Sequence, residues 1–457
     1  HSGEEGGRQR ARARLGRSSG RAGTMATQHA SLKRLRPPLS GFIVDGFNFC
    51  EADVRHYLLT HAHSDHTCGL HASFDLGTVY CSSVTARVLR ATIGLPEKRI
   101  TTIDVGQSIE VEGVQITALD AGHCPGSLMF LLEHLATGHT ALHTGDMRAS
   151  QPIREAVCAA LLRRGLLRLC HRCNHSPSPT TSAIAATAAA TAAAETTDAA
   201  ASPSPLAVDV LYLDTTYSSP RWRFPPQPDA LRCLAAVTAA ELRREPRTLF
   251  VVGSYQVGKE KAIAAVARAA GGRALLSERR ALSLKLCGLW DADLHTVDAA
   301  DPQVRVHVMP LSAGVEAHEA MGALLQRHGE RYAAVVTFRP TGWAYSKSDE
   351  AGLPKPWVEG AGSTRMYGVP YSEHSSWEEL QAFVAALRPR ALVPTVNAAT
   401  ARDRERLQAA YAHAMDLAAD KGRLDWHFRR RPSSAVGASS SSDVGGGGGT
   451  GGGGGGG

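Results

Sequence analysis

The run Thr60-His61-Ala62-His63-Ser64-Asp65-His66 places three imidazoles and one carboxylate within six consecutive positions. Neutral imidazole with carboxylate is a donor set that suits zinc and related divalent cations. The run follows the apolar stretch His56–Thr60, so a strand is expected to deliver it to a loop on a rigid scaffold. In an extended backbone alternate residues share a side, so His61 and His63 point together. Asp65 and His66 come after a turn and can serve a second position. Two further strand ends offer what this loop lacks. Val114–Leu119 runs into Asp120-Ala121-Gly122-His123-Cys124-Pro125-Gly126 and offers His123, and Ala141-Leu142 runs into His143-Thr144-Gly145-Asp146 and offers Asp146. Together they would complete a metal site with positions open to water.

The elements that must position these groups are legible as a recurring pattern. Short apolar runs end in polar or Gly-rich loops at Gly41–Val44, Leu128–Leu132, Val208–Leu213, Thr248–Val252, Tyr332–Thr337 and Ala391–Val393. Helical patterns alternate with the later runs, over Gly258–Ala270, Trp377–Leu387 and Ala401–Ala419. An α/β fold of layered sheets is expected. Residues 1–39, 165–207 and 432–457 are Arg/Gly/Ser-rich, Ala/Thr/Ser/Pro-rich and Ser/Gly-rich in turn, compositions that cannot pack a core. Roughly 350 residues remain, enough for two domains. The Ala/Thr tract reads as a surface excursion, because loop closure costs little more as length grows.

Composition excludes several classes. The net charge of +7 suggests nucleic acid, yet nine basic and two acidic residues within 1–39 account for all of it. A basic surface on the folded part must therefore come from local placement. No run approaches the roughly 18–20 apolar residues of a membrane span. Nine scattered cysteines do not form a secreted disulfide pattern, which favours a reducing compartment. The first residue is His1, so the beginning reads as processed or over-extended, with Met25 a plausible start.

Further candidates lie in the second half. Gly253, Gly258 and Lys259 follow the strand-like Thr248–Val252 at phosphate-loop spacing, and Lys259 is expected to open a helix whose N-terminal amides favour an anion. An ATPase would next supply Ser or Thr for magnesium, but Glu260 stands there. A terminal phosphate held by Ser254, Lys259 and backbone amides, with Tyr255 and Gly258 in the same turn, fits better. His374, in a Ser/Glu/His loop after the strand-like Met366–Val369, is the best candidate to give a proton to a leaving oxygen. Glu373 and His143 are read as structural. Cys170-His171-Arg172-Cys173 with His175 has C-x-x-C spacing but no second ligand pair. Arg221, Trp222 and Arg223 combine cations with an aromatic that can stack on a base, or simply form an exposed loop.

With Val44-Asp45-Gly46-Phe47, the His-rich loop, His123 and Asp146, the chain resembles the metallo-β-lactamase superfamily. The later segments Tyr212–Tyr217, Gly253–Lys261, Phe338–Trp343, Pro370–Ser376 and Val393–Asn397 resemble the β-CASP DNA nucleases of cross-link repair. The resemblance covers about residues 41–150 and 208–400. It implies that His61, His63, His123 and Asp146 hold a first, tight zinc, and that Asp65 and His66, with Asp146 bridging, hold a second divalent metal. Asp45 would orient a ligand imidazole, Asp65 would steer or deprotonate the nucleophile, and Asp214 would orient His374. Val396 stands where RNA-processing relatives carry histidine, which points to the DNA-directed branch. Gln256 departs from the Ser or Thr common at its position, which bears on the phosphate pocket.

The expected fold is an αββα metallo-β-lactamase sandwich, residues 40–212 and 377–431, with an α/β β-CASP domain inserted at 213–376. The expected activity is zinc-dependent hydrolysis of DNA phosphodiesters, 5′→3′ exonucleolytic, in nuclear repair of interstrand cross-links or double-strand breaks. DNA with single-stranded or 5′-phosphorylated ends is the expected partner. A structure-selective DNA endonuclease, an RNA-processing β-CASP endonuclease and a small-molecule metallo-hydrolase are the alternatives.

Overall fold

The computed structural model describes residues 32–165, 208–254, 257–310, 315–342, 344 and 355–417. Strands β1 (Phe42–Val44), β2 (His56–Leu58), β3 (Thr78–Cys81) and β4 (Ile100–Thr102) form a parallel sheet in sequential order, with helix α1 (Ser83–Thr92) crossing between β3 and β4. Next come β5 (Ser108–Val111), β6 (Val114–Asp120), β7 (Leu128–His134), β8 (His139–His143), helix α2 (Gln151–Arg163) and β9 (Val210–Leu213). Successive hairpins pair β5 to β8 antiparallel, and β9 joins β8 in parallel.

A second group follows in the chain: α3 (Gln227–Arg244), β10 (Thr248–Gly253), α4 (Glu260–Ala270), β11 (Arg273–Leu275), α5 (Glu278–Leu286), β12 (His295–Thr296), β13 (Val304–Met309), α6 (Val315–His328), β14 (Ala334–Pro340), β15 (Trp357–Ala361) and β16 (Thr364–Val369). Its seven strands make one sheet in the order β12-β11-β13-β10-β14-β16-β15, parallel except for the edge hairpin β15–β16. The chain then returns through α7 (Trp377–Leu387) to β17 (Ala391–Pro394), which pairs with β9 in the six-stranded sheet, and ends its described part with α8 (Ala401–Tyr411).

Side-chain alternation explains the layering. On β7, Leu128, Phe130 and Leu132 join Phe42, Val44 and Leu58 in the core between the first two sheets. The intervening Met129 and Leu131 face Val157 and Leu161 of α2 and Phe383 and Leu387 of α7. A strand buried on both faces reads as a continuous apolar run, which is how Leu128–Leu132 looks in sequence. On the far side of the four-stranded sheet, Tyr57, Val79 and Cys81 pack against Ala86 and Leu89 of α1. The order helix, sheet, sheet, helix is the αββα sandwich expected. The third sheet is likewise covered twice: Phe250 and Val252 face α3 and α4, while Leu249 and Val251 face Met321 and Leu324 of α6.

Two helix limits differ from expectation. The helix expected from Gly258 begins at Glu260, because Gly258 (φ 104°) and Lys259 (φ 64°) are both left-handed and cannot continue it backwards. The helix expected over Ala401–Ala419 ends at Tyr411, followed by a 3₁₀ turn over Ala412–Ala414. Residues 418–457, the tract 166–207 and residues 1–31 lie outside the described residues, as do Cys170, His171, Arg172, Cys173, His175, Tyr255, Gln256 and Trp343. Among the described residues no helix is long and apolar enough to cross a membrane. Among the described residues Cys50, Cys68, Cys81, Cys124 and Cys287 form no disulfide.

A buried ion pair ties α3 to the third sheet. Arg365 Nε on β16 donates to Glu241 Oε1 and Oε2 of α3 at 3.0 and 3.1 Å, and the Tyr367 hydroxyl donates to the same carboxylate. Burial alone would raise the Glu241 carboxyl, but these donors hold it below its ordinary value near 4.5. A depressed folded-state pKa contributes stability that is complete above the ordinary value and is lost as pH falls through the folded one. Glu241→Gln is therefore expected to unfold at lower urea concentration than the parent at pH 7, with the difference shrinking toward pH 3. An equal deficit at both pH values would show that the carboxylate charge is not what matters.

Candidate metal centre

Four loops at the ends of strands bring the site together. His61, His63, Asp65 and His66 follow β2, His123 follows β6, Asp146 follows β8, and His374 lies between β16 and α7. Gly145 is what lets Asp146 approach the His-rich loop. Its φ is 54°, and a Cβ there would lie 2.7 Å from the Thr60 side chain. The His374 loop is tied to the Asp146 loop by Ser375, whose N–H donates to the Met147 carbonyl at 2.9 Å and whose Oγ accepts from Ala149 N at 2.8 Å. Arg148 adds a bond from NH1 to the Ser372 carbonyl at 2.8 Å.

Asp146 Oδ2 is the point on which the rings converge. It lies 3.3 Å from His66 Nε2, 3.7 Å from His123 Nε2, and 3.9 Å from both His61 Nε2 and His374 Nε2. Each ring is held from behind by its Nδ1. His66 Nδ1 donates to Asp45 Oδ2 at 2.7 Å, and His374 Nδ1 to Asp214 Oδ2 at 2.8 Å. His123 Nδ1 lies 2.9 Å from the Glu373 carbonyl, which can only accept, so it carries the proton. Thr60 Oγ1 donates to Asp45 Oδ2 at 2.7 Å and so accepts from His61 Nδ1 at 3.0 Å. Such partners fix the tautomer and aim the opposite lone pair. Asp45 also accepts from Thr60 N at 2.8 Å, so this buried carboxylate is fully engaged.

The donor set fits a cation. His63 Nδ1 lies 2.9 Å from His61 Nε2 and 3.2 Å from His123 Nε2, so three ring nitrogens face one another, and His63 Nε2 is buried without a partner. One proton on His63 Nδ1 can bridge only part of this group, whereas a cation among the three nitrogens would meet every lone pair. Four ligands at about 2.1 Å around a tetrahedral cation stand roughly 3.4 Å apart, and the contacts among His61, His63, His123 and Asp146 run from 2.9 to 3.9 Å. Burial lowers the His61 imidazole well below its ordinary value, aided by His66 and His123, and lowers His63 and His123 to about 4. All three are neutral, as metal ligands must be. Burial would raise the Asp146 carboxyl, but His66, His374 and His123 hold it well below the usual range.

The remaining expectations divide. Asp65 sits at the rim, its side chain 76% exposed and its Oδ2 3.6 Å from His66 Nε2. Asp214 is buried, accepts from Met147 N, Thr216 N and Thr216 Oγ1 as well as His374, and so fixes that ring. His143 accepts from Gly145 N at 3.1 Å and stacks on Tyr212, a structural place, as read. Val396 joins Thr215 through its backbone. Arg221 stacks over Trp222 at 4.5 Å and Arg223 pairs with Glu378 at 2.9 Å. One neighbour went unread: Cys124 Sγ falls within the His61, His63 and His123 cluster, and its only sequence signal is adjacency to His123.

The phosphate-loop residues are turned inward. Ser254 Oγ donates to the Gly258 carbonyl at 3.0 Å, Lys259 Nζ to the Pro340 carbonyl at 2.5 Å, and Lys259 N to Glu373 Oε1 at 2.5 Å. Gly258 N donates to Glu260 Oε1 at 2.8 Å. Two carboxylates thus cap the turn in which a phosphate was expected, so the amides of Gly258 and Lys259 are already used.

Comparison with known proteins accords with this geometry. A model described as beta-lactamase superfamily domain matches residues 51–201, which carry His61 to Asp146, and one described as DNA repair metallo-beta-lactamase matches residues 293–400, which carry His374. DNA cross-link repair protein SNM1 of Arabidopsis thaliana is 34% identical over 377 residues, covering 82% of this chain and 68% of that protein. The chain belongs to the β-CASP cross-link repair family. DNA cross-link repair 1A protein of Homo sapiens is 31% identical over 413 residues, 88% of this chain and 34% of that protein. 5′ exonuclease Apollo of Mus musculus is 29% identical over 368 residues, 79% of this chain and 54% of that protein. The chain therefore spans about a third of the human family member and about half of the mouse one. The metallo-β-lactamase fold of this family implies a divalent metal, and the rings grouped with Asp146 are among its candidate ligands.

Because a bound ion stabilises only the folded chain, treatment with a chelator is expected to lower the melting temperature by several degrees. Asp146→Asn should abolish that difference and reduce bound metal measured by mass spectrometry. Unchanged metal content in Asp146→Asn would show that the rings alone hold the ion.

Proposed function

We propose that this protein is a zinc-dependent DNA nuclease, a 5′→3′ exodeoxyribonuclease that hydrolyses phosphodiesters during nuclear repair of interstrand cross-links and double-strand breaks. The observation that carries the reading is the convergence of His61, His66, His123 and His374 on Asp146, with His63 beside His61 and His123, at a cavity of about 720 Å³. That cavity is bordered by loops of the sandwich and by Lys259, Thr341 and Tyr371 of the seven-stranded part. Residues 40–212 and 377–431 then form the hydrolytic domain and 213–376 the inserted β-CASP domain. The names of the relatives support DNA as the substrate.

His61, His63, His123 and Asp146 would hold a divalent cation, which would supply Lewis acidity to make water nucleophilic near neutral pH and to offset phosphoryl charge. His66, Asp65 and the shared Asp146 offer a second position. Asp65, exposed at the rim, accepts the proton of the attacking water. His374 presents Nε2 to the cavity and gives its proton to the leaving 3′-oxygen. Burial would lower this imidazole, but Asp214 and Asp146 raise it to about 9, which keeps it charged at neutral pH. Asp214 holds the ring in the one orientation that presents Nε2.

Purified protein is expected to contain zinc and to degrade 5′-phosphorylated single-stranded DNA from the 5′ end. Asp65→Ala should lose activity by at least about a hundredfold with unchanged circular dichroism, and Asp214→Asn should lower kcat by about 10²–10⁴ with little change in KM. Full activity in zinc-free Asp65→Ala would sink the proposal, and internal cuts in a circular single strand would replace the exonuclease mode with an endonuclease.

A further inference from the structure

Three carboxylates border the cavity, those of Asp65, Asp146 and Glu373, so a polyanionic strand needs fixed positive charge beyond the metal centre. Most nearby cations are committed elsewhere. Lys259 spends Nζ on the Pro340 carbonyl, Arg148 bonds Glu379 and the Ser372 and Pro225 carbonyls, and Arg280 bonds the Gly258 carbonyl and Glu260. The amide turn at Gly258 and Lys259 is filled by Glu260 and Glu373. A Cβ at Gly258 would lie 2.9 Å from Glu373 Oε2, which shows how closely that carboxylate is seated.

Arg279 differs from all of these. It borders the cavity from the first turn of α5, is exposed, and has no ion pair among the described residues. The helix that carries it is held at both ends. Next to Arg279, the buried Arg280 guanidinium donates to the Gly258 carbonyl at 2.8 Å and to Glu260 Oε1 at 3.1 Å. At the other end, Arg87 Nε of α1 donates to the Leu286 carbonyl at 2.7 Å. Adjacent arginines thus divide their work: one anchors the helix and the other stands over the cavity. From α1 the same wall receives Val88, Thr92 and Ile93, an apolar edge suited to a sugar and base beside the charge.

We infer that Arg279 binds a phosphate of the DNA strand in the cavity, with the Val88–Ile93 edge of α1 supporting the attached nucleoside. The assignment rests on the nuclease reading above, and it places a phosphate contact on α5. A guanidinium matches phosphate geometry with two parallel N–H donors, which lysine cannot reproduce.

The test uses the zinc-loaded full chain and its Arg279→Gln and Arg279→Lys variants on 20-nucleotide single strands bearing a 5′-phosphate or a 5′-hydroxyl. Arg279→Gln should raise KM about tenfold with kcat within about twofold and zinc content unchanged, and Arg279→Lys should recover part of the loss. A loss confined to the 5′-phosphate strand assigns Arg279 to the terminal phosphate, and an equal loss on both strands assigns it to an internucleotide phosphate. An unchanged KM on both strands overturns the inference. If the parent protein cleaves neither strand, the nuclease reading fails. Fluorescence anisotropy with the same strands then still decides Arg279, because equal affinity of parent and Arg279→Gln overturns its role.

Discussion

A carboxylate within 4 Å of four imidazole nitrogens is the constraint on which the rest of the structure depends. Asp146 is buried, and a buried charge is tolerated only when paired and hydrogen-bonded. Its neighbours come from β2, β6 and the far end of β16, so the two sheets of the sandwich and the inserted sheet must all be placed before the charge is compensated. The packing of Gly145 on Thr60 and the Ser375–Met147 bonds are the local devices that achieve this. In this sense the fold is organised around the site as much as the site is carried by the fold.

Each ring needs a second contact to be useful. An imidazole without a partner on Nδ1 can rotate or exchange tautomers, and then its Nε2 lone pair is not reliably presented. Here Asp45, Thr60, the Glu373 carbonyl and Asp214 supply those contacts, and they are supplied by four different segments. Asp45 is the most economical of them, because one carboxylate orients His66 directly and His61 through the Thr60 hydroxyl. The family membership of the chain and the physical order of these contacts therefore agree: the motifs that mark the family are the ones that aim nitrogen atoms at Asp146.

How much was legible in the sequence follows from the range of each interaction. The His-rich loop, His123 and Asp146 could be read because each follows an apolar run, and β6 and β8, both antiparallel to β7, end at the same edge of their sheet. The strand Leu128–Leu132 was equally plain, since burial on both faces leaves a continuous apolar run. Lys259 was legible only in part. The phosphate-loop spacing describes the local turn well, but the direction of the side chain is set by the Pro340 carbonyl and the use of its amide by Glu373, 114 residues away. No local pattern reports such a contact. Cys124 was missed because a cysteine beside a histidine carries no spacing signal of its own, and the exposure of Asp65 depends on how the loop turns after Ser64.

The same distinction changes the meaning of charge. The whole excess of +7 can be assigned to residues 1–39, so residues 40–457 carry no net charge to attract DNA in bulk. What it has is a local arrangement: Asp65, Asp146 and Glu373 share the cavity border with Lys259 and Arg279, and a divalent cation bound beside Asp146 would add positive charge at that end. Beyond the reach of that ion the wall must supply its own positive charge, and along α5 it does so at Arg279. A strand bound as proposed is attracted at two points, the metal centre and Arg279. Specific placement of a polyanion follows from two such points more than from a uniformly basic groove, because uniform charge would hold every register equally well.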